Sequence, residues 1–356
     1  MSKHLKKRSK LFIPVIAASM LFGAVPAMAA EQPGSPKLAM AAGISNTLSD
    51  VDSSYIAAAE QFLTTVFGLK EVKFGQNPIP LGDKQWMLSF QNPGDTANDS
   101  DDLMANRPNT ITINKDGSIE YATMELVPDG ARPASFELVE STLRQLDSEG
   151  KTKLKNVLFS KKQDDLDDYL QFTSDYNQKT EPFGVVAINS SDNTVYKAQV
   201  STRYPAADAE QKYLPEAERV LKESSGKDHV EITGFTNIKS LVKDKVKETW
   251  GYSYENDFIA FEANTGKIKS LYIDLKDDSA DAAPDLESKE RAIAIANPYM
   301  INYFGIDLTG YEAKYTTILS GPGQIGLYNY TFSQEGEPDV IVLFTGQGGV
   351  KSISLN

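Results

Sequence analysis

At 356 residues, 24% of them charged and with a formal net charge of −13, the chain contains two histidines and no cysteine. It can therefore form no disulfide, no thiolate nucleophile and no sulfur-ligated zinc site. The acidic balance disfavours nucleic acid and anionic lipid, because a negative surface repels phosphates instead of releasing their counterions.

Lys3, Lys6, Lys7, Arg8 and Lys10 precede an apolar run from Leu11 to Val25, and Pro26-Ala27-Met28-Ala29-Ala30 follows. This is the order of a secretory signal, with small residues placed for cleavage beside Ala30 and a run too short for a stable spanning helix. Residues 1–30 are expected to be removed, and with no cysteine at the cleavage site the acylated-lipoprotein route is closed. The signal carries five cations and no acid, so the mature chain has a formal charge of −18. No second run of about eighteen apolar residues follows. The expectation is a secreted protein, extracellular or associated with the cell wall. Residues 31–50 read as a flexible lead. A chain of this length without disulfides needs two or more cores, or a repeat array.

One unit is written four times. Trp86-Met87-Leu88-Ser89-Phe90 has counterparts at Asp168-Tyr169-Leu170-Gln171-Phe172, Trp250-Gly251-Tyr252-Ser253-Tyr254 and Tyr328-Asn329-Tyr330-Thr331-Phe332, spaced by 82, 82 and 78 residues. In each segment the first, third and fifth side chains share one face of a strand. A turn rich in Gly, Asn or Asp then leads into Ile119-Glu120-Tyr121, Val195-Tyr196-Lys197, Ile268-Lys269-Ser270 and Val350-Lys351-Ser352, a hairpin signal because such turns need positive φ. An amphipathic helix precedes each set. Ile56 to Ala59 and Phe67-Gly68 recur at Ile293 to Ala296 and Phe304-Gly305, with Gly68 and Gly305 as C-caps. The second helix places Phe136, Val139, Leu143 and Leu146 on one face, and the third surrounds Ala217, Val220 and Leu221, with Pro215 as its first turn or a break. The expected fold is α+β, with tandem repeats at 51–126, 134–203, 206–275 and 286–356, each a helix followed by a three- to four-stranded antiparallel sheet.

The third copy, from Phe258 through Ala263-Asn264-Thr265-Gly266-Lys267-Ile268, is similar to the strand, turn and strand ending of PepSY-type repeats. Together with Trp250 to Tyr254 and the helix-first order, it resembles the YcdB/YcdC repeated domain of that group, found in secreted and cell-wall proteins of Gram-positive bacteria. The resemblance implies a PepSY/cystatin-like module without catalytic residues, associated with inhibiting or assisting proteases and with envelope interactions.

The chemistry-bearing motifs have plain readings. The mature chain keeps only His229, so no HExxH helix is possible. The Ser-x-x-Lys matches, Ser224 to Lys227 and Ser240 to Lys243, follow Ser191-Asp192-Asn193 in the wrong order for a penicillin-recognising enzyme. Gly321 to Gly326 satisfies Gly-x-Gly-x-x-Gly but leads into a strand instead of a helix. The acidic runs Asp95 to Asp102 and Asp164 to Asp168 do not fit the EF-hand register and read as solvated loops. No cofactor and no metal is expected. The aromatic segments either fill the layer between sheet and helix or line a groove, and on the second reading Trp250, Tyr252, Tyr254, Tyr328 and Tyr330 are the ligand- or partner-binding candidates. The functional expectation is a binding or regulatory module whose partner is an extracellular or cell-wall protein, a protease among the candidates. The rivals are a secreted hydrolase using a carboxylate pair and a structural envelope spacer.

Overall fold

The computed structural model describes residues 46–355, apart from 82–84, 93–108, 128–129, 162–167, 175–181, 243, 276–285, 287, 319–326 and 347. The signal, most of the lead, the two acidic runs up to residue 167 and the Gly321–Gly326 motif lie outside the described residues. The protein is α+β. Helix α1 (Ser53–Thr65) precedes β1 (Ile79–Leu81), β2 (Gln85–Ser89), β3 (Thr110–Asn114) and β4 (Ile119–Glu125). Helix α2 (Phe136–Leu146) precedes β5 (Leu154–Ser160), β6 (Tyr169–Ser174), β7 (Phe183–Asn189) and β8 (Val195–Tyr204). Helix α3 (Leu214–Ser225) precedes β9 (Gly234–Val242), β10 (Lys245–Tyr254), β11 (Asp257–Glu262) and β12 (Ile268–Tyr272). Helix α4 (Lys289–Tyr299) precedes β13 (Glu312–Ile318), β14 (Leu327–Ser333), β15 (Val340–Phe344) and β16 (Val350–Leu355).

Local chemistry sets the helix ends. The Asp52 carboxylate accepts from Ser54 N at 2.8 Å and starts α1, and the Ser288 hydroxyl accepts from Arg291 N and starts α4. Pro215 stands in the first turn of α3, where its missing N–H costs nothing. In α4, Pro298 removes an interior hydrogen bond, and the helix widens into a π-helical turn over Met300–Phe304 before Gly305 ends it in the left-handed region.

The chain forms two compact units, one of Gln32–Thr202 with Lys239–Lys247, the other containing Arg203–Ile238 and Glu248–Asn356. In the first, β1 to β8 lie in chain order, every neighbour antiparallel, because β4 pairs with β5 from Tyr121↔Ser160 to Glu125↔Asn156. That join fuses two helix layers over one core. Ala59, Leu63 and Phe67 meet Val139, Leu143 and Leu146 in a single cluster, and the Phe62 ring contacts Phe159 at 4.7 Å. In the second unit the order is β9-β10-β11-β12-β16-β15-β14-β13, joined through Leu271↔Ile353 and its neighbours. Two clusters result, one under α3 around Val220, Tyr252 and Phe261, the other under α4 around Met300, Tyr330 and Phe344.

Each third strand turns into the fourth through a residue at positive φ: Gly117, Asn193, Gly266 and Gly348. Just inside each turn the register slips by one, at Thr112/Ile113, Ala187/Ile188, Ala260/Phe261 and Leu343/Phe344. Two residues of the fourth strand thus oppose one of the third, a β-bulge that sends both of their side chains toward one face.

Gly68, at φ +75°, carries a second constraint. A Cβ there would stand 2.3 Å from the Arg132 carbonyl oxygen, whereas at Gly226, φ +67°, it would meet open space. Gly226→Ala should cost only the left-handed penalty, about 1 kcal/mol, and Gly68→Ala should cost about 3 kcal/mol, because backbone must also move. Denaturant midpoints of the two variants against the parent chain check the difference.

Candidate functional site

The sequence-derived aromatic candidates lie on the helix-covered face. Tyr252 is 0% exposed and Tyr330 1%, so neither meets a partner without the fold opening. Their hydroxyls are engaged as well. Tyr252 Oη donates to the Glu210 carbonyl at 2.7 Å and Tyr330 Oη to the Leu286 carbonyl at 2.6 Å, each tying a second strand to the segment that leads into its helix. Trp250 packs on Tyr204, 5.3 Å between ring centroids, and Tyr328 stacks on Tyr315 at 6.1 Å. Tyr254 lies under the Lys227 ammonium, 4.9 Å from its centroid.

Lys227 closes a charged clamp. Its Nζ donates to Asp257 Oδ2 and Glu255 Oε2, each at 2.8 Å, and Asp257 Oδ1 accepts from Asp274 N at 2.7 Å. Asp257 is fully buried, so the clamp neutralises a carboxylate that could not stand alone. The Ser224 hydroxyl donates to the Val220 carbonyl inside α3, and Lys227 is committed to carboxylates, so the Ser-x-x-Lys match is no dyad. His229 is exposed and 4.0 Å from Glu231.

A cleft of about 340 Å³ runs along α2, lined by Phe136, Glu140, Arg144, Lys153 and others. Within it Arg144 pairs with Glu140 at 3.2 Å, and Arg132 lies over the Phe136 ring at 5.0 Å.

The other face of the first unit's sheet carries a different pattern. Alternation from the buried Ala122 and Met124, and from Leu170 and Phe172, puts Tyr121 and Tyr169 on the face opposite the helices. The hydrogen-bond register sets Met87, Thr112, Tyr121, Ser160, Tyr169 and Asn189 in one row across β2 to β7. The next row runs Thr110, Thr123, Leu158, Gln171, Ala187 and Lys197, and a third runs Glu125, Asn156, Thr173, Val185 and Gln199. Tyr196 joins this face through the bulge, which places it with Lys197 opposite Ala187.

Three tyrosines therefore stand on β4, β6 and β8, separated by small or short side chains on β5 and β7. Tyr121 is 38% exposed and Tyr196 44%. Burial raises the phenol pKa of each, and both lie close enough to Tyr169 to feel its charge. Burial lowers the pKa of Lys197, and among the described residues no carboxylate pairs with it. With the residues that the bulges add, this face carries two carboxylates, Glu120 and Glu125, and two ammoniums, Lys155 and Lys197; Lys155 pairs with Glu125 at 4.0 Å, and Glu120 accepts from Asn114 Nδ2 at 3.1 Å.

In the sequence Tyr121, Tyr169 and Tyr196 read only as parts of strands. Tyr169 sits at an even position of its aromatic segment, and the other two follow hairpin turns where the bulge breaks simple alternation. The signal that could have exposed them is the Gly or Asn turn itself, which implies a bulge beside it.

Tyr252→Phe and Tyr330→Phe should each cost about 1–2 kcal/mol, since a buried carbonyl loses its donor, and Lys227→Ala about 3 kcal/mol, since Asp257 is left unpaired. Burial raises the Tyr252 pKa; for Lys227 burial opposes the charge, but the bonds to Asp257 and Glu255 outweigh it. Both groups hold their protons more tightly folded than unfolded. Stability should be full below the ordinary tyrosine value of 10.0 and fall as pH rises through the folded values. Thermal melts from pH 8 to pH 11 check this, and Lys227→Ala should flatten the decline.

No family model, no curated protein and no solved structure matches this chain.

Proposed function

We propose that the mature chain is a secreted, non-catalytic binding module of the cell envelope, built from four PepSY-like copies of one helix-plus-four-strand unit. The observation that carries this reading is the open sheet face of the first unit, where Tyr121, Tyr169 and Tyr196 gather with short polar side chains and without net charge. Aromatic side chains held on a rigid sheet supply contact area at little entropic cost, the usual chemistry of a recognition surface. The reading of four copies is supported by the turn and bulge that recur at the same place in every quartet.

The state of the acids also favours binding over hydrolysis. A carboxylate-pair hydrolase needs one acid with a raised pKa facing another. Asp52, Asp116, Asp192 and Asp307 all have lowered values, because each accepts from a hydroxyl and a backbone N–H two residues on. These are turn and cap bonds. Among the described residues no group of three His, Asp or Glu gathers as a metal site, and no helix is long and apolar enough to cross a membrane.

The test is retention of secreted and wall-fraction material by immobilised residues 31–356, compared with a Tyr121→Ala/Tyr196→Ala variant of equal stability. The parent chain should retain a defined component and the variant should lose it. Equal retention by both would remove the sheet face from the function, and turnover of wall polymer by the parent chain would overturn the non-catalytic reading.

A further inference from the structure

Resting on the binding-module reading, the geometry of this face points to one ligand class: we propose that Tyr121, Tyr169 and Tyr196 form a platform for an extended, uncharged β-1,4-linked glycan lying across the strands. The three tyrosines occupy alternate strands, and two strand spacings amount to about 9.5 Å. That interval matches the disaccharide repeat of a β-1,4-linked chain, in which every second sugar ring presents the same face. Ser160 lies between the first two tyrosines, and Ala187 and Asn189 lie between the second and third. A rod-like ligand can therefore pass over the intervening strands while its alternate rings stack on phenols.

The surrounding chemistry suits the same occupant. The apolar C–H face of a pyranose packs on an aromatic ring, whereas its rim of hydroxyls needs neutral donors and acceptors. Thr123, Gln171 and Asn189 supply them beside the tyrosines. Charge argues against a basic or acidic polypeptide here. The mature chain is strongly acidic, yet on this face two ammoniums, Lys155 and Lys197, balance two carboxylates, Glu120 and Glu125. A surface kept neutral on a charged protein is complementary to an uncharged polymer. Lys197, beside Tyr196 and without an ion-pair partner among the described residues, is placed to donate to a ring hydroxyl at one end of the row.

The experiment is calorimetric titration of residues 31–356 with chitohexaose, chitobiose and maltohexaose. Chitohexaose should bind, chitobiose should bind at least tenfold more weakly because it spans one tyrosine, and maltohexaose, whose α-linkages curl the chain, should not bind. Tyr121→Ala and Tyr196→Ala should each weaken chitohexaose roughly fivefold, and Tyr→Phe at the same sites should retain most of the affinity, because the ring and not the hydroxyl makes the contact. Unchanged melting temperatures would show that the variants fold. No binding of chitohexaose, or equal binding by the Tyr121→Ala/Tyr169→Ala/Tyr196→Ala variant, would overturn the proposal. If the parent chain instead retains a wall protein that the tyrosine variants release, the glycan assignment falls and the binding-module reading stands.

Discussion

The fold depends on how its strand edges are closed. Four short strands under one helix bury little area, and each open edge presents N–H and C=O groups that invite a foreign strand. The first unit solves both problems with the β4–β5 ladder, which removes two edges and lets α1 and α2 share one core. The second unit joins last strand to last strand, β12 to β16, and keeps two clusters with Tyr299 and Phe304 packed against both. At the start of the first sheet, β1 is three residues long and contains Pro80, so that edge offers little to a passing strand. With edges spent or blunted there, the first unit has faces left to present, and the helices cover one of them.

Tyrosine serves two purposes in this molecule, and the hydroxyl separates them. Tyr55 donates to the Lys115 carbonyl and Tyr213 to the Ala263 carbonyl at 2.8 Å, each fixing the start of a helix to the hairpin turn of its own quartet. Tyr252 and Tyr330 secure the segment before the helix in the same way. A phenol here is a hydrophobic body with one strong donor, able to fill a core and satisfy a buried carbonyl at once. On the opposite face Tyr121 and Tyr196 stand in partial contact with water.

Much of the architecture was legible in the sequence because it rests on local signals. Periodicity located the helix faces, Gly68 and Gly305 marked C-terminal caps, and the turns at Gly117, Asn193, Gly266 and Gly348 announced hairpins. What was not legible is non-local. Nothing in Ile119–Glu125 or Leu154–Ser160 says that these strands pair, and nothing in Ile268–Tyr272 says that its neighbour lies at the far end of the next quartet. A strand's period of two identifies an aromatic face but not which face the helix covers. The tyrosines on the uncovered face escaped because a bulge of one residue changes the parity of everything around it.

The place of β16, between β12 and β15, has a kinetic consequence. Tyr272 and Ser352 are partners in the sheet although 80 residues separate them in the chain, a pairing whose loop-closure entropy is met only after the intervening quartet has formed. During synthesis, α3 and its strands emerge well before the strand that completes their sheet. For that interval β12 carries an unsatisfied backbone and behaves as a sticky intermediate. The second unit is then the slow half of the molecule to mature, and the one whose yield depends most on being kept apart from other copies until its last strand arrives.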